Sequence, residues 1–277
     1  MLNILSVDLE ELHHAEYVKD RQPKYVEERA AQSLDKTLAL LGKHNVHATF
    51  FVVGELLEKC PQLAERIREE GHEIAFHGYS HKRLQNLDAD TFEKEISMFN
   101  SLVKEKCLGF RAPSFSLNNQ TIWALRVLEK KGFAYDSSIF SVATPLYGVP
   151  RAPTKPYRPS FDDVAKHDDN GKLWEFPLLT LKMWGLKLPV AGGFYLRQCP
   201  VRMVKRAVKS MNKQNAPAVI YVHTWELDSE TPVLELGIYR SYITYANIEK
   251  TKEKLESLLT DFEFTSIRDF AEDAKLL

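Results

Sequence analysis

Eight short apolar runs punctuate this 277-residue chain, and between them the hydrophobic spacing switches to that of a helix. The runs fall at 4–8, 48–53, 73–77, 109–111, 134–137, 173–176, 219–223 and 262–265. Several are continuously apolar, as in Ala48-Thr49-Phe50-Phe51-Val52-Val53, where a half-exposed strand would alternate. Strands buried on both faces read this way, and they occur in parallel sheets covered by helices. The intervening segments supply those helices: Leu34, Leu38 and Leu41 share one helical face. Phe92, Ile96, Phe99 and Val103 share another, behind an Asp90/Glu93 pair that resembles a capping box. Further helices are expected at 64–70, 121–131, 201–213 and 248–259. The chain is therefore expected to be α/β, an irregular (β/α) barrel of about seven parallel strands in one domain spanning 1–277.

One stretch breaks the rhythm. Residues 145–170 carry Pro145, Pro150, Pro153, Pro156 and Pro159 without a clear period, which predicts a long insertion loop serving as a lid or substrate wall. With 37 Lys and Arg against 38 Asp and Glu, no basic surplus points to nucleic acid. Cys60, Cys107 and Cys199 are odd in number and include no Cys-x-x-Cys pair, which argues against a disulfide framework and against a thiolate zinc site. No apolar run approaches the roughly 20 residues a bilayer requires. The N-terminus enters the first strand without a basic leader, so a cytoplasmic protein is expected.

In a barrel of this kind the reactive groups gather at the carboxyl ends of the strands. Asp8 closes the first run with Glu10 two residues on, His77 the third, Arg111 the fourth and His223 the seventh, while Asp136 lies in the fifth. Ionisable residues suit such buried positions only when paired or coordinated. His77 and His81 are spaced to reach one divalent ion from one helical face, with Gly78 allowing a tight bend. Singly, each has a plainer reading: surface or capping histidines, a salt bridge for Arg111, a core histidine at 223, and a local turn bond for Asp136. Their joint occurrence favours a metal site.

The ordered segments Ser6-Val7-Asp8-Leu9-Glu10, Gly71-His72-Glu73-Ile74-Ala75-Phe76-His77-Gly78-Tyr79-Ser80-His81, Phe110-Arg111-Ala112-Pro113-Ser114, Tyr135-Asp136-Ser137-Ser138 and Tyr221-Val222-His223 resemble the five motifs of the polysaccharide deacetylases, the NodB-homology carbohydrate esterases. The resemblance spans roughly residues 2–270. It implies an irregular barrel with one divalent ion, zinc first and cobalt, nickel or iron as alternatives, held by one carboxylate and two histidines. Carried over, His77 and His81 become ligands, Asp8 the general base, Arg111 its orienting partner and His223 the acid that protonates the leaving amine. The backbone N–H of Ser114 would stabilise the oxyanion.

Many members have two adjacent aspartates after the first strand, whereas Leu9 here separates Asp8 from Glu10. This spacing resembles a peptidoglycan-deacetylase and allantoinase-like subgroup, in which Glu10 becomes the third ligand; Asp8 is the other candidate. Ala112-Pro113-Ser114 lacks the family's aromatic residue, so Phe115 or the insertion loop would supply that wall. The run His223-Thr224-Trp225-Glu226-Leu227-Asp228 resembles deacetylases encoded with exopolysaccharide assembly systems. Trp225, Trp184 and Tyr195 offer faces for a sugar ring or for core packing. Trp225 and Asp136 are taken as substrate contacts.

The resemblance implies a hydrolase that removes N-acetyl groups from amino sugars of a polysaccharide or glycan precursor, with that N-acetylated glycan as its partner. A second reading is an amidohydrolase of a small nitrogenous metabolite, and a third a non-catalytic glycan-binding protein.

Overall fold

The structure, a computed structural model, describes residues 1–19 and 28–277. In chain order the strands are β1 (Asn3–Leu9), β2 (Thr49–Val52), β3 (Glu73–Phe76), β4 (Gly109–Phe110), β5 (Tyr135–Asp136), β6 (Trp174–Glu175), β7 (Thr180–Met183), β8 (Leu186–Pro189), β9 (Val219–His223) and β10 (Phe264–Thr265). Helices α1 (Ala30–His44), α2 (Gly54–Lys59), α3 (Gln62–Glu69), α4 (Ala89–Val103), α5 (Trp123–Lys130), α6 (Gly193–Gln198), α7 (Val201–Asn212), α8 (Thr224–Leu227), α9 (Ile238–Tyr245), α10 (Thr251–Asp261) and α11 (Ile267–Asp273) surround them. Every pairing in the main sheet is parallel, in the order β10-β1-β2-β3-β4-β5-β6, with β9 on the other side of β1. The sheet curls into the expected irregular barrel.

All seven residues of β1 are buried, and its polar Asn3, Ser6 and Asp8 are each hydrogen-bonded, as burial requires. One edge bonds to β9 across 4–8; the other bonds to β10 at its start and to β2 from Ser6 onward. The apolar faces of helices and sheet merge into one core running from Ile4 to Ala271. A smaller cluster of Leu12, Val18, Trp225 and Leu236 lies apart from it.

Three expectations are corrected. Asp88, not the Asp90/Glu93 pair, caps α4, its carboxylate accepting the Thr91 N–H at 2.8 Å. Residues 145–170 contribute to the wall of the cleft described below at one end only, through Leu146 and Tyr147, and do not cover it as a lid: the middle of the segment seals the outer edge of β6. There Tyr157 and Glu175 exchange backbone bonds of 3.1 and 2.7 Å, and the Arg158 guanidinium lies over the Trp174 ring. An open edge demands such cover. Third, β7 and β8 form an antiparallel hairpin that the helix-and-strand pattern did not anticipate. Trp184 and Gly185 turn it with φ of 51° and 80°, the left-handed pair a two-residue hairpin needs.

Candidate active site

The two carboxylates owe their convergence to strand geometry. Residues two apart on an extended chain project to the same side, so Asp8 at the end of β1 and Glu10 just beyond it enter one cleft, both nearly fully buried. His77 follows β3, Arg111 follows β4 and His223 closes β9, so neighbouring strands deliver all five groups to one end of the sheet.

The histidine pair converges by a route other than a helical face. The chain from His77 turns tightly, with Gly78 at φ 76° and His81 at φ 50°, and the rings end 5.0 Å apart. A Cβ on Gly78 would also meet the Pro113 ring at 3.1 Å. His77 Nδ1 lies 2.8 Å from the Arg111 carbonyl oxygen; donating that proton fixes the tautomer and leaves Nε2 with a free lone pair. Burial pushes the His77 imidazole down to about 4, so it is neutral at physiological pH. His81 Nε2 is buried 2.8 Å from Glu10 Oε2, yet at an angle that makes no hydrogen bond. Burial opposes the charge on Glu10, but His81, with support from His223, holds its carboxyl well below the usual range.

Ligand atoms of Glu10, His77 and His81 all lie within 4.8 Å of one another. Two imidazoles and an ionised carboxylate, one nitrogen oriented by a carbonyl and another buried without a hydrogen bond, fit a divalent cation. Three such ligands would leave positions open for water and substrate, as in catalytic metal sites.

Asp8 is held differently. Its Oδ1 accepts from Arg111 Nη1 at 2.6 Å, while Oδ2 lies 3.9 Å from His77 Nε2 and 4.0 Å from His223 Nε2. Arg111 is fully buried, and its remaining donors reach Ser6 Oγ, Ser137 O and Ser137 Oγ at 2.9–3.0 Å. The guanidinium stands 4.1 Å from the centre of the Phe51 ring. One residue thus fixes the Asp8 carboxylate through its side chain and His77 through its carbonyl.

Across the cleft His223 Nδ1 lies 2.8 Å from Glu226 Oε2, and the His223 backbone N–H donates to that oxygen at 3.0 Å. The second Glu226 oxygen faces Arg197 Nε at 2.8 Å. Burial lowers the His223 pKa, but the Glu226 charge and hydrogen bond, aided by Glu10 and Asp8, lift it to about 9. His223 is therefore a cation at neutral pH, with Nε2 turned toward the carboxylates. Trp225 stacks on His223 at 19° and donates its indole N–H to Glu10 Oε1 at 3.2 Å. It lines the cleft as a wall that also steadies Glu10.

Ser114 lines the cleft too, with φ of 52°; its hydroxyl donates to Glu16 at 3.0 Å, and its N–H makes no hydrogen bond among the described residues. Phe115 and Tyr147 supply the aromatic wall that Ala112-Pro113-Ser114 lacks. The structure does not bring Asp136 to the cleft. It is fully buried, bonded to the Ser138 hydroxyl at 2.5 Å, beside the buried Glu175. Nor does Trp184 reach it, standing 89% exposed on the hairpin turn. Asp228 binds Arg29, Lys36 and Ser33 and so anchors α1. Arg197 and the N-terminal Glu16 and Tyr17 are cleft residues that sequence patterning left unmarked; only the Glu three residues after His223 carried a signal, as the reciprocal cap it forms.

Residues 22–134 match the family described as polysaccharide deacetylase, and residues 137–272 a domain of unknown function, DUF3473. The boundary falls at β5, and β1 precedes the first match, so Asp8 and Glu10 lie before both. His77, His81 and Arg111 lie in the first match and His223 in the second. The peptidoglycan-N-acetylmuramic acid deacetylase PdaA of Bacillus subtilis is 30% identical over 145 residues, covering 50% of this chain and 52% of that protein. Matches to the curated relatives span 26 to 52% of those proteins' lengths. A provisionally assigned polysaccharide deacetylase of Mycobacterium smegmatis superposes with a TM-score of 0.62 at 18% identity, covering 98% of this chain and 89% of that one. Puue allantoinase superposes with 0.58 at 15% identity, covering 97% and 88%. These two structures share the fold.

Proposed function

We propose that this chain, whose residues 22–134 match the polysaccharide deacetylase family, is a metal-dependent hydrolase removing N-acetyl groups from amino sugars of a polysaccharide or glycan precursor. The observation that carries this reading is the meeting, in one cleft, of a triad able to hold a metal ion, an arginine-held carboxylate and a carboxylate-held histidine. Binding a glycan would not require both an acid and a base.

Glu10, His77 and His81 would hold the divalent ion, zinc before cobalt, nickel or iron. Bound there, such an ion supplies Lewis acidity to the acetamide carbonyl and lowers the pKa of water. Asp8, held in place by Arg111, accepts the proton of the attacking water at Oδ2. The Ser114 N–H donates to the oxygen that gains negative charge. His223, protonated because Glu226 stands behind it, delivers its Nε2 proton to the sugar nitrogen as the C–N bond breaks. Acetate and the free amine are the products.

Acetate release from N-acetylglucosamine oligomers should vanish after chelation and return with zinc. Release that survives complete metal removal refutes the mechanism. Ammonia or carbamoyl products from ureides, in place of acetate, would favour the small-metabolite amidohydrolase instead.

A further inference from the structure

We infer that α9 carries an aromatic strip at the rim of the cleft, along which lie the sugars of a glycan substrate beyond the reacting one; this rests on the deacetylase reading above. Two aromatic residues of the cleft wall, Tyr17 and Phe194, each make a ring contact with a tyrosine outside it. Tyr239 packs edge-on against Tyr17 at 6.0 Å, and Tyr242 against Phe194 at 5.7 Å. Tyr239 and Tyr242 are three residues apart on α9 and so share one helix face. They remain 63% and 55% exposed, and exposed apolar surface continuous with a cleft marks a binding site.

The same helix places Ile243 and Thr244 in the cleft wall, so α9 joins the strip to the catalytic groups without a break. Polar groups edge the rings: Tyr242 Oη lies 3.5 Å from Gln198 Oε1, which also accepts from Asn247 Nδ2 at 3.0 Å. Flat apolar faces bordered by neutral hydrogen-bonding groups suit pyranose rings, which present C–H faces with hydroxyls at their edges. Continuity with the cleft selects the glycan itself as occupant over a separate protein partner. A small ureide or a lone sugar bound at the catalytic groups would leave the strip bare.

The test compares the N-acetylglucosamine dimer with the hexamer, by calorimetric binding and by acetate release. The wild type should bind the hexamer about tenfold or more tightly than the dimer. The Tyr239→Ala/Tyr242→Ala double variant should lose that advantage while binding and hydrolysing the dimer as the wild type does. Tyr239→Phe/Tyr242→Phe should retain most of it, since the rings remain. Equal binding of both oligomers by the wild type, or an undiminished hexamer preference in the alanine variant, overturns the inference. If the length preference and its loss are both seen but no oligomer releases acetate, the deacetylase reading fails and the glycan strip stands.

Discussion

Replacing Glu226 by Gln should move the basic limb of the pH–rate profile to lower pH. Glu226 is buried between His223 and Arg197, 2.8 Å from each, and its charge is the main support for the protonated imidazole. The amide can still accept one hydrogen bond but no longer carries the charge, and its NH₂ would then face the Arg197 donor. A charge-assisted bond of this kind is worth about 1.5–3 kcal/mol, or about one to two pH units at 1.36 kcal/mol per unit. The His223 proton is held below a value of about 9 and lost above it, so the limb should fall to about 7–8 in the variant. Stability follows the same sign. In the wild type the contribution is complete below the ordinary histidine value of 6.5 and disappears as pH rises through about 9. The assay is kcat/KM for N-acetylglucosamine oligomers across that range, with urea unfolding to confirm an intact fold. Should Arg197, left buried without its counter-charge, unfold the protein, Glu226→Gln with Arg197→Met removes that conflict. A limb that stays in place or moves upward refutes the argument.

Asp8→Asn should keep the divalent ion by elemental analysis while turnover falls about 10²–10⁴-fold, whereas Glu10→Gln should lose the ion; the opposite pattern would exchange their roles. Arg111→Met should cost about 3–5 kcal/mol in urea unfolding, because it strands the buried Asp8 carboxylate, and a loss below about 1 kcal/mol would mean that water replaces the guanidinium. Burial, with Asp136 alongside, raises the Glu175 carboxyl well above its ordinary 4.5. Charging it therefore costs stability as pH rises, and Glu175→Gln should raise Tm at pH 8 by a few degrees; no gain would show that the pair is already relieved. Gly192→Ala would set a Cβ 2.1 Å from the Tyr221 carbonyl oxygen, so it should lower both Tm and acetate release.

The strands that carry the site were legible in the sequence because burial on both faces leaves continuous apolar runs, and because a charged residue at the end of such a run needs a partner. Asp8, His77, Arg111 and His223 stood out for that reason. The means of convergence was not legible. An i, i+4 histidine spacing fits a helix as well as a left-handed turn, and only the φ values of Gly78 and His81 separate them. Asp136 sits at a strand end as Asp8 does, yet its short strand stops beside Glu175 and points the carboxylate into the interior. Arg197 and Tyr17 came from segments with no strand or helix signal of their own, placed by tertiary packing alone.

One consequence concerns how such a chain can be divided or inherited. β1 is hydrogen-bonded along one edge to β9 and along the other to β10 and then β2, and both β9 and β10 come more than 200 residues later in the chain. Severing the polypeptide at β5, where the two family matches meet, would give a first fragment whose central strand lacks β9 and β10, and a second whose β9 lacks β1. Raw strand edges of that kind recruit other chains, so separately expressed halves should aggregate, and recombination between relatives should conserve the catalytic cluster only when the first strand travels with the last.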